Sequence, residues 1–221
     1  YQIYKHTLGT PQSEDVLVYE ENDDTFSCYV SKSKSKKYIM IGSYQTLSSE
    51  YRFIDANKPH EEFKIIQKRE KNLEYSVYHY NDYFYILTNY KAKNFRLMKT
   101  LISQPSKENW EEVIPHDESI LIEGVDIFKK YLVVEERKKG LMHIKVINWQ
   151  NNDSYYIQFD DPAYTVSTMS NPEYNTNILR FVYTSLTTPS SVFDYDMDLN
   201  KKQLLKQDQV LDQNFAIENY E

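Results

Sequence analysis

The stretch Tyr83-Phe84-Tyr85-Ile86-Leu87-Thr88 is a short continuous apolar run, and three similar runs occur elsewhere in this chain of 221 residues. Runs of this length are typical of a β-strand that is buried on both faces. Their starts lie 46, 48 and 47 residues apart, at Lys37, Tyr83, Tyr131 and Ile178. A spacing this regular indicates an internal repeat, and such a repeat indicates a fold built from similar units.

Further strand-like segments flank each apolar run in a constant order. One alternating segment precedes the run, while a second alternating segment and a more polar one follow it. In the second repeat these segments are Tyr75–Tyr78, Phe95–Lys99 and Trp110–Ile114. Alternation of apolar and polar residues is typical of half-exposed strands. Each repeat therefore predicts four antiparallel strands whose polarity rises toward the last, as in a β-propeller blade.

The predicted fold class is all-β, a partial β-propeller of about four and a half four-stranded antiparallel blades. Residues 1–21 supply half a blade, and complete blades are predicted at 26–67, 74–114, 119–159 and 164–207. We expect the propeller domain to span 1–211 and residues 212–221 to begin a linker. A β-sandwich or a pair of small all-β domains is the competing fold, and the regular spacing favours the propeller.

Composition agrees with a sheet protein, since 21 Tyr and 10 Phe stand against 4 Gly. The net charge of −7 disfavours nucleic acid and anionic membranes as partners. The single cysteine, Cys28, excludes an internal disulfide, and we expect it to be a small buried residue. We expect a cytoplasmic location, and a periplasmic one stays open. The basic run Lys32–Lys37 is interpreted as a solvated turn between two strands.

The sequence lacks the residue patterns that are typical of a catalytic site. A nucleophile elbow needs Gly-x-Ser-x-Gly, and no two of the four glycines bracket a serine. Gly42 is interpreted as a turn or bulge residue. The five histidines are scattered and are expected to have structural partners, and adjacent acids such as Asp160 and Asp161 are expected in solvated loops. We therefore predict no catalytic residue, metal or cofactor in this chain.

Several motifs, in order along the chain, resemble those of a known family. They are His6–Thr10, Asp15–Glu21, Ser33–Tyr38, Asn109–His116, Glu135–Leu141 and Tyr183–Ser191. Together they resemble the N-terminal propeller of the oligopeptidase B (protease II) group in the prolyl oligopeptidase family of serine peptidases. The resemblance is collinear and covers essentially the whole chain.

The resemblance implies a seven-bladed propeller joined to an α/β-hydrolase domain that carries a Ser–Asp–His triad. It implies a serine-type endopeptidase that cleaves short peptides after Arg or Lys, with a propeller that restricts substrate size. The implied partners are this catalytic domain, expected outside the present sequence, and short cationic peptides. By itself the chain is expected to hydrolyse nothing. Two alternatives stay open: a non-enzymatic propeller scaffold that binds peptides or proteins, and the propeller of a prolyl-specific or dipeptidyl peptidase.

Charged residues concentrate in the connections between blades and in the turns between second and third strands. In a propeller these segments lie on one face, where charges of both signs suit a polar contact with another domain that can open. The candidate interdomain residues are Lys91, Lys93, Arg137, Lys138, Lys139, Asp117, Glu118, Asp160 and Asp161. Exposure alone is the competing explanation for each of them. We also expect self-association through exposed blade edges.

Overall fold

The computed structural model describes residues 1–209, which form eighteen strands and two short 3₁₀ turns, Gln12–Glu14 and Lys107–Asn109. The chain divides into two compact units, Tyr1–Pro115 and His116–Glu221. In every sheet of the described part, strands adjacent in sequence pair antiparallel. No helix within residues 1–209 has the length and apolar character needed to cross a membrane.

The first unit contains three sheets. β1 and β2 form a two-stranded sheet, and β3–β6 and β7–β10 form two four-stranded sheets. The strands are β1 Gln2–Lys5, β2 Val16–Glu20, β3 Ser27–Lys32, β4 Tyr38–Gln45, β5 Ser48–Asp55, β6 Lys64–Gln67, β7 Tyr75–Tyr80, β8 Tyr83–Thr88, β9 Arg96–Leu101 and β10 Glu111–Ile114.

The second unit contains two four-stranded sheets, β11–β14 and β15–β18. The strands are β11 Ile120–Ile127, β12 Tyr131–Lys138, β13 Leu141–Asn148, β14 Ser154–Tyr156, β15 Tyr164–Thr168, β16 Ile178–Ser185, β17 Ser191–Asp196 and β18 Lys201–Gln207.

Each unit buries its own apolar core between its sheets. In the first unit the rings of Phe53 and Phe84 meet edge to face, with centroids 4.8 Å apart. In the second unit Phe181 and Leu179 are fully buried among side chains of β12, β13 and β17. Full burial of such side chains contributes about 2–3 kcal/mol each. Burial of the apolar side chains that predicted these strands therefore also stabilises the sheets.

The predicted strands all have counterparts in the structure, as does the basic turn after Lys32. Burial follows the predicted gradient, because β8 and β12 are mainly buried while β18 is exposed along its length. The domain limits stay a prediction, and the expected linker 212–221 lies outside the described residues.

Two smaller predictions are wrong. Gly42 lies inside β4 in regular pairing, opposite Tyr29 and Tyr51. A Cβ atom at Gly42 would lie 2.7 Å from the ring of Tyr29, so glycine here makes room for a neighbouring ring. Cys28 is half-exposed rather than buried, because it lies on β3 at the edge of its sheet.

Candidate interdomain face

Two kinds of connection lie at the same end of every four-stranded sheet. Because the four strands are antiparallel and in sequence order, the turn from second to third strand lies beside the connections to the neighbouring sheets. We call this the crossing end of a sheet. It comprises residues 21–26, 46–47, 68–74 and 89–95 in the first unit and 116–119, 139–140, 157–163 and 186–190 in the second. The predicted interdomain residues lie at these segments or directly beside them.

The first unit holds an ion pair with a buried carboxylate between two of its connections. Arg69 donates to both carboxylate oxygens of Glu21, at 2.6 and 3.2 Å, and the hydroxyl of Tyr19 donates to Glu21 at 2.7 Å. The Glu21 side chain is only 4% exposed. Burial alone would raise the pKa of Glu21, but the hydrogen bonds from Arg69 and Tyr19 outweigh it and lower this pKa to about 2. The Glu21 carboxylate therefore joins segments 21–26 and 68–74 through its ion pair with Arg69.

A second buried carboxylate extends the same cluster. Glu50, on β5, accepts the backbone N–H of Arg69 at 2.9 Å and pairs with the Arg52 guanidinium at 2.6 Å. That guanidinium lies over the ring of Tyr19, 4.4 Å from its centroid. A favourable cation–π geometry and two carboxylates thus hold the two arginines in place. The cluster is a structural clasp, because its charges are paired with one another.

The turn from β8 to β9 is tied to segment 68–74 by one side chain. Asn89 accepts the backbone N–H of Glu74 at 2.9 Å and donates to the Glu74 carboxylate at 3.0 Å. Beyond this anchor, Lys91 and Lys93 are exposed. The ammonium of Lys91 lies 5.3 Å from the Tyr90 ring centroid. The two predicted lysines thus project from an anchored turn.

In the second unit, a two-residue turn joins β12 to β13. Lys139 and Gly140 both have positive φ, 50° and 86°, as a type I′ hairpin requires. Lys138 and Lys139 are exposed. Arg137 differs from them, because it donates to the carboxylate of Glu123 and, at 3.3 Å, to the carbonyl of Gly140. The turn therefore presents two lysines, while Arg137 supports it from the side.

Asp117 lies close to this turn. Its carboxylate accepts both the N–H and the hydroxyl of Ser119, at 2.7 and 2.6 Å. These bonds, with smaller help from the charges of Lys138 and His116, lower the pKa of Asp117. The structure therefore places two of the predicted residues of opposite charge, Asp117 and Lys138, near each other at the surface. Glu118, next to Asp117, is exposed as well.

The two adjacent acids Asp160 and Asp161 differ in their environments. Asp160 is exposed. Asp161 accepts hydrogen bonds from the hydroxyls of Tyr183 and Thr187, and the bond from Tyr183 is the main cause of its lowered pKa. Asp161 thus links segment 157–163 to segment 186–190. Its role in the structure is mainly to join these two loops.

Sequence reasoning missed the charges that are most deeply buried. Arg69 was not singled out, although it holds Glu21 from 48 residues away. Glu136 is 3% exposed and accepts the hydroxyl of Tyr156 at 2.6 Å. The one available signal was an acid within or beside an apolar run, as in Tyr19–Glu21 and Tyr131–Glu136, which indicates a buried carboxylate with an unknown partner.

The side chains of His79 and His6 have partners within the fold. Both ring nitrogens of buried His79 are hydrogen bonded, Nδ1 to the Ser35 hydroxyl and Nε2 to the carbonyl of Asn81, each at 2.7 Å. His6 pairs with Asp15 at 2.6 Å. Nε2 of His116 is the exception, since it is buried without a hydrogen-bond partner. Across residues 1–209, no three His, Cys, Asp or Glu side chains come together as potential metal ligands.

The chain is similar to known proteins along nearly its whole length. The family model described as the N-terminal β-propeller domain of prolyl oligopeptidase matches residues 1–208. The chain is 35% identical over 210 residues to dipeptidyl aminopeptidase BI of Pseudoxanthomonas mexicana, covering 95% of the chain and 29% of that protein. It is 32% identical over 205 residues to protease 2 of Moraxella lacunata, covering 93% and 29%.

A solved structure agrees with these relatives. Oligopeptidase B from Trypanosoma brucei, in a closed form with covalently bound antipain, matches with a TM-score of 0.88 and 31% identity, over 95% of the chain and 31% of that protein. The predictions of a partial β-propeller and of the family resemblance are thereby confirmed. The chain spans about three tenths of the length of the proteins that it matches.

Proposed function

Since the chain belongs to the prolyl oligopeptidase family, as part of its N-terminal β-propeller domain, we propose that it serves as the substrate-gating domain of a longer serine-type oligopeptidase. The family match over residues 1–208 is the observation that carries this proposal. Propeller blades without a catalytic site of their own act by contact and by exclusion, so the relevant chemistry lies at surfaces.

The crossing ends are the surfaces that best fit contact with a catalytic domain. In the second unit they expose Lys138 and Lys139 on the turn from β12 to β13, and Asp117 on the neighbouring connection 116–119, and hydrogen bonds hold both segments. In the first unit they expose Lys91 and Lys93 on a turn anchored by Asn89. Exposed charges of both signs on rigid turns favour a contact that is polar and that opens and closes. These observations favour Lys91, Lys93, Asp117, Lys138 and Lys139 among the nine predicted residues as candidates for that contact.

For the longer protein we propose cleavage of short peptides after Arg or Lys. The support is the motif resemblance to oligopeptidase B and the matching T. brucei structure. A propeller next to the active site would admit short peptides and exclude folded proteins. We also propose a cytoplasmic location, with a periplasmic one open, because a single cysteine is compatible with a reducing compartment.

A second candidate function is removal of dipeptides from free N-termini, since the relative with 35% identity is a dipeptidyl aminopeptidase. Two fluorogenic substrates separate the candidates in the longer protein: an N-terminally blocked Arg-Arg amide and the same dipeptide amide with a free amine. Cleavage of the blocked substrate supports the endopeptidase. Cleavage of the unblocked substrate alone supports the aminopeptidase, and no cleavage of either supports the scaffold.

Charge reversal tests the contact itself. In the longer protein, Lys138→Glu with Lys139→Glu is expected to change kcat/KM by tenfold or more, because like charges would replace complementary ones at the interface. The matched control is Lys36→Glu with Lys37→Glu, an adjacent exposed pair in the turn from β3 to β4, away from the crossing end. Equal activity of both variants and the unmodified enzyme would reject the proposed contact surface.

A further inference from the structure

Three tyrosines lie on one face of the β3–β6 sheet. Gly42 on β4 is paired with Tyr29 on β3 and with Tyr51 on β5, so these three residues share a face. Tyr44 follows Gly42 by two residues on the same strand and therefore lies on that face as well. We call Tyr29, Tyr44 and Tyr51 the tyrosine patch.

The fold holds the ring of Tyr29 in one position. This ring occupies the space that glycine leaves at position 42, and its hydroxyl is hydrogen bonded to the Tyr51 hydroxyl at 3.0 Å. The rings of Tyr44 and Tyr51 each meet it edge to face, with centroids 5.8 and 6.5 Å away. Tyr51 in turn packs on the buried ring of Tyr75, at a centroid distance of 5.3 Å. The patch is therefore organised before any ligand binds, which lowers the entropic cost of binding.

Two rings of the patch are nevertheless accessible. Tyr29 is 41% exposed and Tyr44 is 49% exposed. The residues paired with Tyr44 are Ser27 on β3 and Ser49 on β5, and side chains this short cover little of its ring. Exposed aromatic rings that are held in place are typical of binding surfaces, because they offer a large contact area and lose little conformational entropy.

The segment that leads into β3 supplies negative charge beside the patch. Tyr44 is paired with the first residue of β3, so it lies next to segment 21–26 at the crossing end of the sheet. This segment exposes Asp23 and Asp24. Hydrogen bonds from the hydroxyl and the backbone N–H of Thr25, at 2.6 and 3.0 Å, lower the pKa of Asp23. The patch therefore combines aromatic rings with a neighbouring carboxylate that is ionised at neutral pH.

We propose that Tyr29 and Tyr44 bind the guanidinium group of an arginine-containing peptide, with the carboxylates of segment 21–26 supplying the opposite charge. The choice of ligand rests on the function proposed above, cleavage of short cationic peptides. A guanidinium stacks on an aromatic face within about 6 Å of the ring centroid and is more weakly hydrated than an ammonium group. The first unit uses the same contact internally, since the guanidinium of Arg69 lies 4.0 Å from the centroid of the Phe26 ring.

Binding to the 221-residue chain is the first test. NMR titration of the chain with labelled tyrosine rings uses N-acetyl-Arg-Arg amide as the ligand and the same peptide with two citrullines as its neutral control. The ring signals of Tyr29 and Tyr44 are expected to shift, with a Kd about threefold or more lower for the arginine peptide, because only a cation is attracted by the ring face. Equal Kd values for the two peptides, or shifts confined to other tyrosines, would overturn the proposal.

Substitutions in the same titration test the individual rings. Tyr44→Leu is expected to weaken binding of the arginine peptide about threefold or more, because leucine keeps apolar bulk but has no aromatic face, whereas Tyr44→Phe is expected to retain binding. Gly42→Ala is expected to weaken binding as well, because its Cβ would displace the ring of Tyr29. The matched control is Tyr4→Leu on β1, where the tyrosine is 52% exposed and no change is expected. Equal affinities of Tyr44→Leu and Tyr4→Leu would show that the patch is not the binding site.

These measurements do not depend on peptidase activity, so they separate the site from the proposed function. Binding at the patch, in a longer protein that cleaves neither fluorogenic substrate, would retain the site and reject the peptidase function. Cleavage of the blocked Arg-Arg amide by the longer protein, without binding at the patch, would retain the peptidase function and reject the site.

Discussion

The crossing ends of the two units use their charged residues differently. In the first unit, Glu21 is buried and paired with the half-buried Arg69, and the pKa of the Glu21 carboxylate is lowered to about 2. In the second, Lys138 and Asp117 are exposed on a turn and its neighbouring connection. The first arrangement holds two connections of the same unit together. The second leaves charge at the surface, where another molecule or domain can meet it.

This difference shows that an acidic residue in a connection between sheets can have either of two roles. A carboxylate that is buried beside a guanidinium contributes to the fold and would be costly to leave unpaired. An exposed carboxylate contributes little to stability and remains available for contact. Substitutions in the two units should therefore separate into those that affect unfolding and those that affect interaction. The following predictions test this separation, beginning with the largest effect.

Removal of the buried charge should have the largest effect. Glu21→Gln is expected to lower the free energy of unfolding of the first unit by about 2 kcal/mol, because Arg69 would remain partly buried without its counter-charge. Each unit contains one tryptophan, Trp110 or Trp149. Urea unfolding followed by fluorescence in a Trp149→Phe background therefore reports on the first unit.

The matched control for this prediction is Glu20→Gln. Glu20 is exposed and accepts a hydrogen bond from Gln2 at 2.7 Å, so its neutralisation is expected to cost less than 0.5 kcal/mol. If Glu21→Gln and Glu20→Gln shift the midpoint equally, the clasp does not stabilise the unit, and the contrast between the crossing ends is wrong.

The same clasp predicts an effect of pH. Since the folded-state pKa of Glu21 is lowered from 4.5 to about 2, its stabilisation is present above pH 4.5 and is lost as the pH falls toward 2. The difference in melting temperature between the unmodified chain and Glu21→Gln should therefore be constant from pH 7 to 5 and shrink below 4.5. A difference that stays unchanged at pH 3 would show that Glu21 is not stabilised as a carboxylate.

Sequence patterns predicted the strands well but not the pairing of side chains. Burial and alternation are local properties, so the run Tyr83–Thr88 identified its strand without knowledge of its neighbours. The partner of Glu21 lies 48 residues away and depends on which connections meet in the fold. Gly42 was misjudged for the same reason, because the ring that excludes a side chain there belongs to Tyr29 on the next strand.

The turn beside Lys138 allows a prediction of intermediate size. Gly140→Ala is expected to destabilise the second unit by about 1 kcal/mol, because alanine is strained at a φ of 86°. Lys139→Asn is expected to stabilise it by a few tenths of a kcal/mol, since asparagine followed by glycine favours a type I′ turn. Urea unfolding of a Trp110→Phe variant measures both. Destabilisation by both substitutions would indicate that the turn has another conformation.

The smallest effect is expected at the exposed lysines themselves. Lys138→Glu with Lys139→Glu should change the free energy of unfolding of the second unit by less than 0.5 kcal/mol, because both side chains are exposed and exposed pairs contribute little. The same urea measurement in a Trp110→Phe background tests this. If stability is unchanged here while peptidase activity of the longer protein is altered, the lysines act through contact with another domain. A loss of 2 kcal/mol in the 221-residue chain would instead place them in the same structural class as Glu21 and Arg69.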